Sequence, residues 1–475
     1  MNISLNIRAI TASIALLVAP LPIMANDYLT NLIGIIKPET SQTAVIVSPL
    51  SAPKSSFRNN PKQLFIPAST MKVLTAVAST AALGKDFRFK TQIDAFVGIS
   101  NQRIEGDVFI RFDGDPTLTS DNLNALLKDL KARGLNHIDG NLYLVGEQQE
   151  SMQAPGWVWD DLGICYAAPV SRYVINQNCI KATLSPTLAD ERSELTVSQF
   201  EPVTITNSAV FDKLGSQDFC ELDLQRQANN QYILSGCFAG TKPLNLAIAI
   251  SDPARYAQET LQRLLNNNGI SLKGDILLTS KRPTNTLLIA EHRSKPLSEL
   301  LSKMLLKSDN LIADSLLKRL GQYEYGVAGS FTNGSKAMQT ILGALGVDLS
   351  TANIIDGSGL SRYNLLSAEQ LMQVLLLIKK DPKFQYLIDS LPVAGKTGTL
   401  EYRRDYRRAP LKGNVLAKTG SMMGVSNLAG YIKQDGKLTQ AFVVLENGYS
   451  PAVKEAEIRP FNVLLLQSII ENSAP

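Results

Sequence analysis

Three short polar motifs divide this chain of 475 residues: Ser69-Thr70-Met71-Lys72, Ser308-Asp309-Asn310 and Lys418-Thr419-Gly420. If they serve one site, the fold must bring the opening of the chain back against its close, around residues 73–307. That requirement points to a discontinuous unit interrupted by a large insertion. A chain of this length exceeds one ordinary domain in any case.

Local patterns agree with such a layout. Thr43 to Val47 reads as a strand, and apolar Met71, Leu74, Ala78 and Ala82 carry helical spacing, with Pro67 ahead of the start and Gly84 at the end. From Phe89 to Leu288 strand-like pieces dominate, such as Ile104 to Phe112 and Ile138 to Val145, with helix patterns at Asp121 to Lys131 and Pro243 to Asn267. Helical signals return at Leu297–Leu306, Asn310–Leu320, Asn333–Leu345 and Ser367–Lys380. Strands follow at Val415–Lys418, Val425–Lys433 and Thr439–Glu446, the last two parted by an Asp435-Gly436 turn, and a final helix is expected within Val453–Ile470. Glu401 to Arg408 reads as a solvated loop. The expected class is multidomain α+β. Its divisions are a leader at 1–25, a discontinuous outer domain of 26–90 and 289–475, an inserted domain of 91–190 and 251–288, and a nested domain of 191–250.

Arg8, the apolar run Ala9–Met24 and Ile23-Met24-Ala25 describe a cleavable export signal, too short and too interrupted to serve as a membrane anchor. The formal charge of +4 loses only Arg8 with the leader, a balance too mild for a nucleic-acid binder. All four cysteines fall within the insertion. Of three possible pairings, Cys165 with Cys179 and Cys220 with Cys237 close the two local loops; free thiols and zinc are the alternatives, though the spacings lack Cys-x-x-Cys arms.

The first motif puts Ser69 and Lys72 on one helical face, a turn apart. A serine hydroxyl needs a nearby base, and a lysine desolvated beside other cations can lose its proton and become one. Ser69 at a helix start would also offer its own N–H to an oxyanion. Ser308 could relay a proton, and Asn310 could hold the lysine or a substrate backbone. Along the third motif, alternation turns Lys418 and Gly420 to one side. Gly420 would admit a substrate backbone, Thr419 a carboxylate, and the Ser421 N–H would complete the oxyanion hole.

Each motif has a bland counterpart. Ser-x-x-Lys recurs at Ser51/Lys54 and Ser315/Lys318, Ser308-Asp309 could be a helix cap, and Lys396-Thr397-Gly398 repeats the third triplet in a turn-like context. The order and setting of the trio select Ser69, Ser308 and Lys418. With only His137 and His292 in the chain, a serine–histidine triad and a zinc hydrolase are poorly supported, and no phosphate-loop motif is present. No metal or organic cofactor is expected.

The trio resembles that of the penicillin-binding proteins and serine beta-lactamases. Within that group the chain is similar to the S13 peptidases, the class C low-molecular-mass penicillin-binding proteins, over nearly its whole length. Pro67-Ala68 before Ser69, Gly114-Asp115-Pro116, Tyr166-Ala167-Ala168-Pro169-Val170, Asp356-Gly357-Ser358-Gly359-Leu360 and Leu391-Pro392-Val393-Ala394-Gly395 add to the likeness. The resembling enzymes often carry another residue, such as Asp, at the place of Thr397.

The resemblance implies a transpeptidase-like domain, an antiparallel sheet with helices, interrupted by the insertion. It implies Ser69 as acylated nucleophile and Lys72 as proton acceptor, with Ser308, Asn310 and Lys418 completing the network and Thr419 recognising a terminal carboxylate. The implied activity is periplasmic D-alanyl-D-alanine carboxypeptidase and endopeptidase action on peptidoglycan stem peptides and crosslinks, inhibited by beta-lactams. A beta-lactamase-like hydrolase and a non-catalytic wall-binding protein are the alternatives. A homo-oligomer stays open.

Overall fold

The computed structural model describes residues 22–146, 151–187, 193–212, 218–240, 242–450 and 459–472. Most of the expected leader and the start of the expected last helix, 453–458, lie outside the described residues. Among the described residues no helix is long and apolar enough to cross a membrane.

The outer segments build one antiparallel sheet of five strands in the order Phe57–Asn59, Gln42–Pro49, Lys437–Asn447, Val425–Gln434, Val415–Met422. Val45 faces Val444, so the first long strand pairs with the last. The hairpin between the final two strands turns at Asp435 and Gly436, with φ of 49° and 79°. Two left-handed residues in succession match the right-handed twist of the strands they join, and Gly carries the second without strain.

The helix Met71–Leu83 runs through the middle of this unit. It is apolar on nearly every side, and Met71, Leu74 and Val77 are fully buried, each worth about 1.5–3 kcal/mol of removal from water. It packs on Leu297–Lys307, Asn310–Tyr325, Phe331–Ala344 and Ala368–Lys380. Gly84, at φ 78°, ends it. The other side of the sheet is closed by the helices Pro22–Ile36 and Phe461–Asn472, joined where the Tyr28 hydroxyl meets that of Ser468 at 2.8 Å.

Between these segments stands a second five-stranded sheet, Ile276–Thr279, Leu142–Val145, Val108–Phe112, Lys90–Ala95 and Leu287–Arg293, with parallel pairs on one side and antiparallel on the other. Ser120–Ala132 and Pro253–Asn267 are its helices. A further group of strands, including Cys179–Pro186, Leu222–Arg226, Gln231–Ala239 and Leu244–Ala249, carries its own small core around Leu184, Phe211, Leu234 and Phe238. Disulfides join Cys165 to Cys179 and Cys220 to Cys237, with Cα atoms 5.3 and 4.8 Å apart.

Three expectations need correction. Pro243–Asn267 is not one helix, since Leu244–Ala249 is a strand paired with Cys179–Pro186. The helix begins only at Pro253, where Asp252 caps it by accepting from the Arg255 N–H and Pro253 occupies its first turn. Ile104–Phe112 is two strands, broken where Gly106 takes φ 99°. Glu401–Arg408 is not simply solvated, because Tyr406 is buried and its hydroxyl donates to Asn462 Oδ1 at 2.9 Å.

Candidate active site

Ser69 sits in the 3-10 turn Ala68–Thr70 that feeds the Met71–Leu83 helix. The turn is built tightly. Pro67 contributes no N–H, the Thr70 hydroxyl donates to the Pro67 carbonyl at 2.7 Å, and Ala68 takes φ 46°, unusual for a residue with a side chain. From the sheet, Asn427 Nδ2 donates to the carbonyls of Ile66 and Pro67 at 2.9 and 3.0 Å, and Asn447 Oδ1 accepts from the Ile66 N–H. The serine is thereby fixed by backbone contacts on both sides and remains half-buried at the floor of a cleft of about 610 Å³.

Lys72 lies fully buried behind it. Its Nζ donates to Ser69 Oγ at 2.8 Å, Asn310 Oδ1 at 2.6 Å and the Ser358 carbonyl at 2.7 Å. All three acceptors are neutral oxygens, and among the described residues no carboxylate pairs with the ammonium. Burial lowers its pKa to about 8, against the opposing pull of Asp314, Asp356 and Asp309. That is the setting in which an amine can accept a proton near neutral pH.

The second motif closes the far wall. Ser308 ends the Leu297–Lys307 helix in a left-handed conformation, φ 59°, and Asp309 caps the next helix by accepting from the Ile312 N–H at 3.0 Å. The cap and the site therefore coexist, and capping Asp309 sets the position of Asn310. Asn310 Nδ2 donates to the Tyr166 carbonyl at 2.8 Å, tying the site to the insertion. The Cys165–Cys179 disulfide holds the turn that carries Tyr166.

Lys418 is also fully buried, with Nζ donating to Ser308 Oγ at 3.0 Å and to the Thr419 carbonyl at 2.9 Å. Burial holds its pKa well below the ordinary lysine value, and the charges of Lys72 and Arg403 push the same way. Ser69, Ser308, Asn310 and Ser421 line the cleft, with the two lysines beneath it. Thr419 is buried, its hydroxyl 2.8 Å from that of Thr399. Gly420 also serves a need within the protein itself. A Cβ there would come within 2.6 Å of the Pro67 carbonyl, so the missing side chain lets the strand lie against the Ser69 turn.

The competing motifs fall elsewhere. Lys396 is exposed on a turn whose Gly395 and Gly398 have φ of 61° and 62°. Neither histidine lines the cleft.

The D-Ala-D-Ala carboxypeptidase 3 (S13) family matches residues 33–468 of the sequence. The chain belongs to that family. The S13 chain is 36% identical over 442 residues to the D-alanyl-D-alanine carboxypeptidase DacB of Haemophilus influenzae, with 92% of each covered. It is 29% identical to a D-alanyl-D-alanine carboxypeptidase of Actinomadura, covering 87% of this chain and 79% of that one. A crystal structure of penicillin binding protein 4 (dacB) from Haemophilus influenzae matches with a TM-score of 0.86 at 34% identity, covering 94% of this chain and 98% of the other.

Sequence reasoning missed part of this S13 site. Asp314, fully buried, accepts the Gly357 and Ser358 N–H groups at 2.8 and 2.9 Å and so aims the Ser358 carbonyl at Lys72. Burial and nearby Asp356 raise its pKa. Asp356 in turn accepts from the Gly359 and Ser361 N–H groups and from Trp157 Nε1. The available signal was spacing: Asp314 stands one turn after Asn310 on the same helix face. Arg403, read as part of a solvated loop, donates to Ser421 Oγ at 3.2 Å.

Proposed function

We propose that this S13 protein is a periplasmic serine D-alanyl-D-alanine carboxypeptidase and endopeptidase that acts on peptidoglycan stem peptides and crosslinks. The observation that carries the reading is the buried Lys72 Nζ at 2.8 Å from Ser69 Oγ, with only neutral oxygens around it. Ser69 Oγ attacks the carbonyl between the two D-alanines while its proton passes to Lys72. The N–H groups of Ser69 and Ser421 hold the oxyanion. As the C–N bond breaks, a proton reaches the leaving amine through Ser308, whose hydroxyl Lys418 orients. Terminal D-alanine departs, and water cleaves the resulting ester to free the shortened peptide and restore Ser69. Arg403, which donates to Ser421 Oγ at 3.2 Å, supplies positive charge that attracts the substrate carboxylate toward Thr419 and Ser421.

The cleft rim carries Asp160, Asp161 and Arg362, opposite charges suited to the zwitterionic side-chain terminus of a D-alanyl-diaminopimelate crosslink. A beta-lactam reacts at the same serine and leaves an acyl-enzyme. The beta-lactam complex of the Haemophilus influenzae protein, with a TM-score of 0.83 and 33% identity to this chain, supports that part of the reading. The test is intact mass after incubation with benzylpenicillin, beside a Ser69→Ala control. A one-to-one adduct mapped to the Ser69 peptide and absent from the control is expected. Folded protein that leaves benzylpenicillin intact and carries no adduct overturns the proposal.

A further inference from the structure

The insertion reaches the Ser308-Asp309-Asn310 motif at two points. One is the Tyr166 carbonyl, which accepts from Asn310 Nδ2. The other is Gln177, whose Nε2 donates to Asp309 Oδ2 at 2.9 Å. The Cys165–Cys179 disulfide joins the two segments that make these contacts. Asp309 Oδ1 is already engaged with the Ile312 N–H, so Gln177 holds the second oxygen of the carboxylate that caps the Asn310–Tyr325 helix. Lys303 Nζ lies 3.6 Å from that same oxygen on a side chain 43% exposed, where water weakens an ion pair.

Gln177 is presented by a strained turn. Asn176, Gln177 and Asn178 have φ of 52°, 61° and 48°, three left-handed residues in a row. Asparagine enters that region readily, and glutamine does not. Both asparagines are engaged within the insertion. Asn176 Oδ1 accepts from the Ser120 N–H at 3.0 Å, and Asn178 Nδ2 donates to the Pro169 carbonyl at 3.0 Å. The main chain is fixed too, with the Asn176 N–H on the Leu118 carbonyl and the Asn178 carbonyl on the Ile250 N–H, each at 2.9 Å. Between these anchors Gln177 sends its amide out of the insertion to Asp309. A glycine would satisfy this backbone with less strain, so the position is held for what the glutamine side chain does.

We propose that Gln177 is a positioning residue for acyl transfer, acting through Asp309 on the Ser308 hydroxyl and the Asn310 amide. It contacts Asp309 and not the reacting atoms. With both carboxylate oxygens held, Asp309 fixes the backbone from which Ser308 meets Lys418 and Asn310 meets Lys72. Ser308 is itself left-handed, at φ 59°, and adjoins Asp309 directly. A small rotation at this junction displaces the Ser308 hydroxyl from the leaving nitrogen, and misplacement of this kind is costly in rate. The role rests on the proposed function, in which Ser308 passes a proton to that nitrogen. The insertion thereby supplies part of the catalytic frame.

The experiment is rapid-mixing acylation of the full chain by benzylpenicillin, which separates the saturating rate from the half-saturating concentration. Thermal unfolding is followed on the same samples. Gln177→Gly is expected to lower the saturating rate roughly tenfold and to leave half-saturation within about twofold. Its unfolding midpoint should stay within about 2 °C of the parent, because relief of the left-handed glutamine offsets the lost hydrogen bond. A merely structural role gives the opposite pattern, a lower midpoint with an unchanged rate. Gln177→Glu, which keeps the size and turns a carboxylate on Asp309, should slow acylation at least as much. Hydrogen exchange at the amides of residues 308–313 reads the motif without chemistry, and Gln177→Gly should speed it roughly tenfold. A saturating rate within about twofold of the parent in Gln177→Gly, or unchanged exchange at those amides, overturns the proposal. If the parent itself carries no adduct, the proposed activity falls, and the exchange still decides whether Gln177 holds the motif.

Discussion

Two pairs of residues in this protein spell the same motif and do different work. Ser69 and Lys72 stand where a helix begins beside a cleft; Ser315 and Lys318 lie inside a helix that ties the insertion to the outer unit. Lys72 Nζ contacts a hydroxyl open to the cleft. Lys318 Nζ instead donates to the carbonyls of Ser151 and Val170 at 2.8 and 2.6 Å and lies 4.9 Å from the centre of the Phe331 ring. Among the described residues Ser315 Oγ is buried without a hydrogen-bond partner. Burial is common to both lysines. What separates them is the neighbour, a reactable hydroxyl in one case and structural carbonyls in the other. The Lys418 and Lys396 triplets repeat the lesson, since only the buried, extended copy adjoins Ser308.

The sharpest break of this comparison is Ser69→Ala beside Ser315→Ala. The first should lower benzylpenicillin acylation on the order of 10⁴-fold or more, and the second should leave its rate unchanged in stopped kinetic assays. Next comes Lys418→Ala, expected to cost roughly 10²–10³-fold in the same assay, against a change within about twofold for Lys396→Ala. Equal effects of the two triplets would undo the assignment.

A pH profile separates the two buried lysines more finely. With Lys72 lowered to about 8, the acylation rate should rise about tenfold per pH unit below that value and level off above it. Replacing Lys318 by methionine should leave the inflection in place. Folding stability carries the same sign. The unfolded lysine titrates near 10.5, so between about 8 and 10.5 the unfolded chain binds more protons, and Lys72's contribution to stability rises with pH across that window. Lys318→Met should itself cost about 2–4 kcal/mol by chemical denaturation, by stranding two buried carbonyls, while acylation changes by less than about threefold. A loss of acylation comparable to that of Lys418→Ala would show that the two Ser-x-x-Lys pairs are not functionally distinct.

Much of the outer unit was legible because its signals are local. Strand-like runs marked Val425–Lys433 and Thr439–Glu446, Asp435-Gly436 marked their turn, and Pro67 and Gly84 bracketed the central helix. Leu244–Ala249 was misread because its alanines extend a helical pattern into Pro253–Asn267, although Asp252-Pro253 marks the true start. Asp314 and the Ser358 carbonyl were not legible as site groups. Their role depends on a loop folding back onto a helix 43 and 44 residues away, as the contacts to Gly357 and Ser358 show. Gly420 shows a need that its own triplet does not reveal. The sequence suggests room for a substrate backbone, and the fold adds the close approach of the protein's own Pro67 carbonyl.

The pairing of Gln42–Pro49 with Lys437–Asn447 has a consequence for how the molecule comes into being. During synthesis the Ser69 turn is made early, yet the strand carrying Lys418 and the asparagines that brace the turn are made almost last. The inserted sheet has all its strands by Arg293 and can settle first, while the outer sheet waits on a closure that pairs Gln42 with Asn447. Until that closure the Ser69 turn lacks Asn427, and Ser308 lacks Lys418.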